Sequence, residues 1–199
     1  MNNIYLIVGE SGSGKSTVCD IIEETYGLKQ LVSYTTRPRR YDGEKGHLFV
    51  DKATFDKLDN KVAYTMFDGY EYCATTQQID ECDLYVIDPD GLFKLKELYH
   101  GDKNIKVIYI STPLPERYER MKKRILEKNP EAVSVAVESA LERIKHDIEK
   151  FMEFKTKKFN CVDLIINNND NSDIKATANR IYTYITDTEI KETLAGGDE

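Results

Sequence analysis

A run near the start of the chain has the residue types and spacing to wrap a phosphate chain. Gly9-Glu10-Ser11-Gly12-Ser13-Gly14-Lys15-Ser16 fits the pattern G-x-x-x-x-G-K-[ST] at every fixed position, and Thr17 follows it. Glycines let the backbone turn so that successive amide N–H groups point at phosphate oxygens. A helix opening at Lys15 adds its positive end. Lys15 supplies a charge for the β- and γ-phosphates, and the Ser16 hydroxyl suits Mg²⁺. The expected chemistry is the binding of a magnesium nucleoside triphosphate by Gly9, Ser11, Gly12, Ser13, Gly14, Lys15, Ser16 and Thr17. A second signal is Ser33-Tyr34-Thr35-Thr36-Arg37-Pro38-Arg39-Arg40, which puts three arginines within four residues. The planar guanidinium fork grips phosphate through two parallel bonds. Pro38 keeps the chain extended and spreads the arginines apart, so not all need face one ligand. A solvated basic loop is the plainer use of the same residues.

The elements that must position these groups read as an α/β fold. Ile4–Val8 is a short apolar run ending in glycine, the pattern of a buried strand. Val18, Ile21 and Ile22 have helical spacing between Lys15 and Tyr26, and Gly27 suits the helix end. Leu31–Ser33 reads as a second strand, and the arginine loop follows it. Leu48–Val50 reads as a strand, with Asp51 placed to cap a helix. Residues 62–72 alternate and contain Asp68-Gly69, a hairpin signal. Asp83–Asp88 and Lys106–Ile110 return to the buried-strand pattern, with helices expected over Gly91–Tyr99 and Pro115–Glu127. A long amphipathic helix, intact or broken, is expected over 131–155, a last strand over Val162–Ile166 and a last helix over Ile174–Ile185. Strands alternating with helices imply parallel crossovers in a doubly wound sheet, and ligands of such sheets bind at the carboxyl edge.

The totals bound the function. The chain has 199 residues, enough for one α/β domain, and a net charge of −7. That balance argues against general nucleic-acid binding, which needs a broad basic surface, so any phosphate site is local. Cys19, Cys73, Cys82 and Cys161 show neither metal-ligand spacing nor a disulfide framework. No signal peptide or membrane-length apolar run is visible, and the expected location is the cytoplasm.

These motifs together resemble the guanylate kinase family of P-loop nucleoside monophosphate kinases. The P-loop, Ser33–Arg40, Gly43-Glu44…Gly46…Phe49-Val50, Gly69-Tyr70-Glu71-Tyr72, Asp88-Pro89-Asp90-Gly91 and Asp163–Asn168 follow the family's order. The resemblance runs from Ile4 to about Ile185. It implies a P-loop NTPase-type parallel sheet flanked by helices, with a small β-rich monophosphate lobe and a helical lid. The core would be 1–34, 83–119 and 144–190, the acceptor lobe 35–82 and the lid about 120–143. It implies ATP-dependent phosphoryl transfer to GMP or dGMP with Mg²⁺, small nucleotides as partners, and a monomer or homodimer. By the family pattern Arg37 and Arg40 hold the acceptor phosphate, with His47 and Tyr72 beside it. Ser33 meets the guanine edge. Asp88 lies near the base or a metal-bound water. Arg120, Arg124 and Arg143 close over the transferring group, and Asn168 lies close to adenine. Lys15, Arg37, Arg124 and Arg143 are the expected catalytic set. Plainer uses stand beside these roles: packing for Tyr72, helix capping for Asp88, a solvated helix face for Arg120 to Arg124, and a surface pair with Glu142 or Asp147 for Arg143.

The departures gather where a base is read. Ala63 stands where the family has a glutamate that reads guanine, and Ala74 where it has a serine or threonine. His47 replaces a tyrosine and Val86 an acid. Lys128-Asn129-Pro130 replaces a glycine-rich lid segment. Glu71 or Asp68 is a candidate substitute for the missing glutamate. A relative that phosphorylates another monophosphate or ribose 1,5-bisphosphate, or a non-catalytic interaction module, remains an alternative.

Overall fold

The computed structural model describes residues 1–39, 42–44, 46–169 and 172–195. In chain order the elements are β1 (Asn3–Val8), α1 (Lys15–Tyr26), β2 (Ser33–Thr35), β3 (His47–Phe49), α2 (Lys52–Asp56), β4 (Lys61–Phe67), β5 (Tyr70–Thr75), α3 (Thr76–Glu81), β6 (Leu84–Val86), α4 (Pro89–Leu98), β7 (Asn104–Ser111), α5 (Leu114–Leu126), α6 (Val133–Lys157), β8 (Leu164–Asn167) and α7 (Ile174–Ala195). A four-stranded sheet runs β6-β1-β7-β8, and every pairing in it is parallel.

The apolar run of β1 is buried on both faces because both faces are covered. Ile4, Leu6 and Val8 pack with Leu92 and Leu95 of α4 and Phe151 and Phe154 of α6. Tyr5 and Ile7 pack on the other side with Val18 and Ile22 of α1 and Ile181 and Ile185 of α7. All of these side chains are at most 5% exposed.

A second four-stranded sheet, β3-β2-β5-β4, makes the lobe. Its tight turn is set by Asp68 and Gly69 at φ 51° and 75°, the left-handed pair that a two-residue hairpin requires. Asp51 caps α2 by accepting from the Thr54 amide at 2.7 Å. Thr75 and Gln78 form a reciprocal capping box on α3. Val62, Ala63 and Ala74 join the same apolar cluster as α4 and α6, so the lobe is packed onto the sheet rather than tethered to it.

Two expectations need correction, and one open alternative is decided. The second strand does not enter the parallel sheet: only Gln30 bridges to Leu84 at its edge. The chain then turns away, because Tyr34 and Thr35 find partners in β5 and β3. The long helix is unbroken from Val133 to Lys157. The last helix continues past Ile185 to Ala195. Its extension is anchored by Glu189 and Glu192, which accept from the Asn3 side-chain amide at 2.8 and 2.7 Å. Among the described residues no helix is long and apolar enough to cross a membrane, and all four cysteines are free thiols.

Candidate active site

The phosphate-wrapping loop leaves β1 and enters α1 at the carboxyl edge of the parallel sheet. Gly12 has φ 79°, and a Cβ there would sit 2.7 Å from the Arg117 carbonyl oxygen. A Cβ at Gly9 would meet the Ile110 carbonyl at 2.5 Å. These two glycines are therefore required by close backbone approach. The Lys15 ammonium folds back onto the loop and donates to the carbonyls of Gly9 at 2.6 Å and Glu10 at 3.0 Å. Burial lowers its pKa to about 8, against the opposing pull of Asp147 and Glu10.

Buried side chains hold the loop from beneath. Asn168 donates to the Ser13 carbonyl at 2.8 Å, and the Thr112 hydroxyl bridges the carbonyls of Ser13 and Asn168. Asn168 is 1% exposed. Its amide supports the loop from beneath and is not part of the lining of the donor cavity, beside which the resemblance places adenine.

A cavity of about 760 Å³ opens above the loop, lined by Gly12, Gly14, Lys15, Ser16 and Thr17 together with Arg124 and Arg143. Ser11 lines the same space, while Ser13 is buried below it. Arg120 lies outside this lining and donates to the Gly12 carbonyl at 3.4 Å. Asp147, read from sequence as a surface partner for Arg143, is instead buried against Arg117 at 3.1 Å.

A second cavity, of about 240 Å³, lies between the lobe and the sheet. It gathers Ser33, His47, Tyr72 and Asp88, four residues singled out in the sequence, with Ala63, Thr65 and Tyr85. The Ser33 hydroxyl and His47 Nδ1 are hydrogen-bonded at 2.9 Å. The Tyr72 ring meets His47 edge-on with centroids 5.4 Å apart. Burial, then the Asp88 charge, pushes the Tyr85 phenol far above its ordinary range, so it remains a neutral donor.

Ala63 reaches this cavity from an irregularity in β4, where the register with β5 shifts between Val62 and Thr65. Its φ is 52°, left-handed for a residue with a side chain. Ala74 is buried opposite Val62 and lines no part of the cavity. Neither candidate for the missing acid supplies it. Glu71 is held outside by the Tyr64 hydroxyl at 3.0 Å and Lys52 at 2.9 Å. Asp68 sits exposed on the hairpin turn.

Asp88 has the capping use as well as its place in the cavity. It accepts from the Gly91 amide at 2.7 Å and pairs with Lys150 at 3.0 Å. Arg37 lies outside the cavity lining: its two terminal nitrogens are both taken by Glu44, at 2.9 and 3.2 Å. In this arrangement its fork grips a carboxylate, which competes with any acceptor phosphate for the same two nitrogens. Arg40 lies outside the described residues.

A third cavity, of about 250 Å³, joins the other two. Gly9, Ser11 and Lys15 line it from the loop, and Phe67, Val86, Ile87 and Asp88 from the acceptor side. One face of α6 closes it with His146, Asp147 and Lys150. The same helix grips the loop twice more. Asp147 accepts from the Ser11 amide at 2.8 Å, and Lys155 pairs with Glu10, which also accepts from the Tyr109 hydroxyl at 2.6 Å. Sequence reasoning missed Arg117, Lys150 and Lys155 in these roles. For Lys150 and Lys155 the signal is a charged residue recurring every three or four positions along α6, and a solvated face leaves the same one; Arg117 sits in the equally charged run of α5.

This sheet, glycine loop and paired cavity define a P-loop nucleotide-binding α/β protein. The AAA domain family matches residues 6–144, and the chain belongs to that family. Its resemblance to guanylate kinases is borne out by two relatives. The guanylate kinase of Fusobacterium nucleatum is 25% identical, covering 72% of this chain and 82% of that one. The guanylate kinase of Nitrosomonas europaea is 28% identical, covering 77% and 79%. The fold is shared with the guanylate kinase of Anaplasma phagocytophilum, with a TM-score of 0.53, 20% identity, and coverage of 94% of this chain and 86% of that one. An uncharacterised protein of Eubacterium ventriosum matches with a TM-score of 0.50 at 13% identity, covering 92% and 98%.

Proposed function

We propose that the protein transfers the γ-phosphoryl group of ATP to a nucleoside monophosphate, with GMP or dGMP the first acceptors to test. The observation that carries this reading is the joining cavity, which runs from Lys15 to Asp88 and so connects a triphosphate loop to the partly enclosed acceptor-side cavity. Guanylate kinase relatives support the choice of acceptor.

An acceptor phosphate oxygen attacks the γ-phosphorus in line. The bond from that phosphorus to the β–γ bridging oxygen breaks, and ADP leaves with the electron pair. A phosphate monoester is largely dianionic near neutral pH, since its second pKa is about 6, so no general base is needed. What the chain supplies is position and charge cancellation. Lys15 would leave its loop carbonyls for the phosphates, and Arg124 and Arg143 would approach from the lid side of the donor cavity. The exposed Ser16 hydroxyl at the mouth of that cavity fits a Mg²⁺ carried in on the triphosphate, which neutralises phosphate charge when bound. Asp88, with its carboxylate already on Gly91 and Lys150, would meet the ion only through water.

A second reading, a different phosphorylated acceptor on the same scaffold, is favoured by Ala63 at the wall of the acceptor cavity. Guanine offers two adjacent donors, and a site lacking a free carboxylate discriminates them weakly. The deciding experiment is ADP release from Mg·ATP with GMP, dGMP, the other monophosphates and ribose 1,5-bisphosphate. A preference for GMP or dGMP supports the first reading. Activity on another acceptor alone supports the second, and no acceptor-stimulated ADP release with any of them refutes both.

A further inference from the structure

The joining cavity contains a second lysine that no motif announces. Lys150 lies on α6, and its ammonium sits 3.0 Å from Asp88 and 3.2 Å from Asp90. Its side chain is only 17% exposed. An ammonium has three donors, so this bridge leaves one for a ligand. The cavity that Lys150 lines also holds Lys15, Asp88 and Asp147. Asp147 is neutralised by Arg117. Asp88 has only Lys150 to offset its charge among the ion pairs of the described residues. Without Lys150, an anion moving between the acceptor cavity and Lys15 would pass a bare carboxylate.

We propose that Lys150 is a phosphate-contacting residue, which meets the acceptor phosphate opposite Lys15 while cancelling the charge of Asp88. This deepens the phosphoryl-transfer reading and rests on it. The proton stays on the amine throughout, and no bond to Lys150 forms or breaks. Burial alone would lower the Lys150 pKa, but Asp88 and Asp90 outweigh it and raise it, so the lysine is charged at neutral pH. The face of Phe67 lies 5.7 Å from the ammonium, within reach of a cation–π contact.

The alternative is that Lys150 merely ties α6 to the start of α4. Lys150→Met and Asp90→Asn separate the two. Asp90 is 60% exposed, and its substitution loosens the tie while leaving the lysine charge in place. The measurements are Tm, calorimetric binding of ATP and of GMP, and steady-state kcat and acceptor KM. Lys150→Met is expected to raise acceptor KM and GMP Kd by about tenfold or more, as for a lost bond to a charged group, with ATP Kd within about twofold. Asp90→Asn is expected to leave acceptor affinity unchanged or tighter. Equal losses in both variants, or a fall in Tm with unchanged acceptor KM and kcat in Lys150→Met, overturn the assignment of Lys150 alone. Wild-type protein that binds GMP without transferring phosphate overturns the transfer reading, and the GMP Kd of Lys150→Met still decides the phosphate contact. Wild-type protein that binds no monophosphate overturns both.

Discussion

The Asp147 carboxylate accepts from the Ser11 amide at 2.8 Å and the Ser11 hydroxyl at 3.1 Å, so the third residue of the phosphate loop is held by the middle of a helix 136 positions later. The same carboxylate pairs with Arg117, which in turn donates to the Ser11 carbonyl at 3.3 Å. Both charged side chains are under 10% exposed. The loop is thus clamped from its amide and carbonyl sides by one buried ion pair that ties α5 to α6.

Breaking that pair should be costly, because the surviving charge is left buried. Asp147→Ala is expected to destabilise the fold by about 3–5 kcal/mol in urea unfolding. The double change Arg117→Met with Asp147→Leu removes both charges and should recover most of that stability. It leaves the Ser11 amide without its acceptor, so ATP affinity should stay low while stability returns. Recovery of both together would mean that the clamp serves only packing.

Gly12 faces a different constraint, backbone against backbone. With φ 79° and the Arg117 carbonyl 2.7 Å from where a Cβ would stand, Gly12→Ala requires α5 or the loop to move. The expected outcome is loss of ATP binding by calorimetry with a Tm fall of a few degrees. A control is Gly46→Ala: its φ is 97°, but among the described residues a Cβ there meets nothing within 4 Å. That change should carry backbone strain of about 1 kcal/mol with ATP binding kept.

The loop was legible in sequence because its pattern is a backbone requirement: glycines are placed where no Cβ fits, whatever surrounds them. Asp51 and Asp68-Gly69 were legible for the same local reason, whereas the Thr75–Gln78 box on α3 was not singled out in the sequence. What sequence did not show is the pairing of distant charges. Asp147 and Arg117 lie 30 positions apart, and nothing in either neighbourhood sets a buried pair apart from an exposed one. The second strand was misplaced because Leu31 is buried like a strand residue, yet only Gln30 bridges to the parallel sheet. Arg37 and Glu44 were each noticed, but their mutual grip depends on how the intervening loop folds back.

Lys15 gives a pH signature. Its pKa in the folded chain is about 8, against an ordinary 10.5. Between those values the unfolded chain binds more protons than the folded one, so this group makes stability rise as pH climbs from about 8 to 10.5. Triphosphate should draw the proton back. At pH 8 ATP binding is expected to take up about half a proton at this group, read from binding enthalpies in two buffers of different ionisation heat. Lys15→Met should abolish that uptake along with transfer to any acceptor. Unchanged uptake in the variant would assign the proton to another group.

Ala63 allows the acceptor cavity to be tested by addition rather than loss. The backbone already holds this position at φ 52°, so a larger side chain meets no new strain of the left-handed kind. The residue lines the cavity beside Ser33 and Tyr85, where resemblance to guanylate kinases implies a glutamate. Ala63→Glu puts a carboxylate within a partly enclosed space whose other polar groups include hydroxyls and an imidazole. Without ligand that charge is poorly solvated, and Tm should fall. A guanine edge offers it two donors, whereas adenine presents an acceptor at the matching ring nitrogen. The ratio of kcat/KM for GMP over AMP should therefore rise by about tenfold or more, the scale of about 1–3 kcal/mol for one buried charged hydrogen bond. GMP should also restore part of the lost Tm in the variant, and AMP should not. A stable variant with an unchanged ratio would place the base elsewhere than beside Ala63.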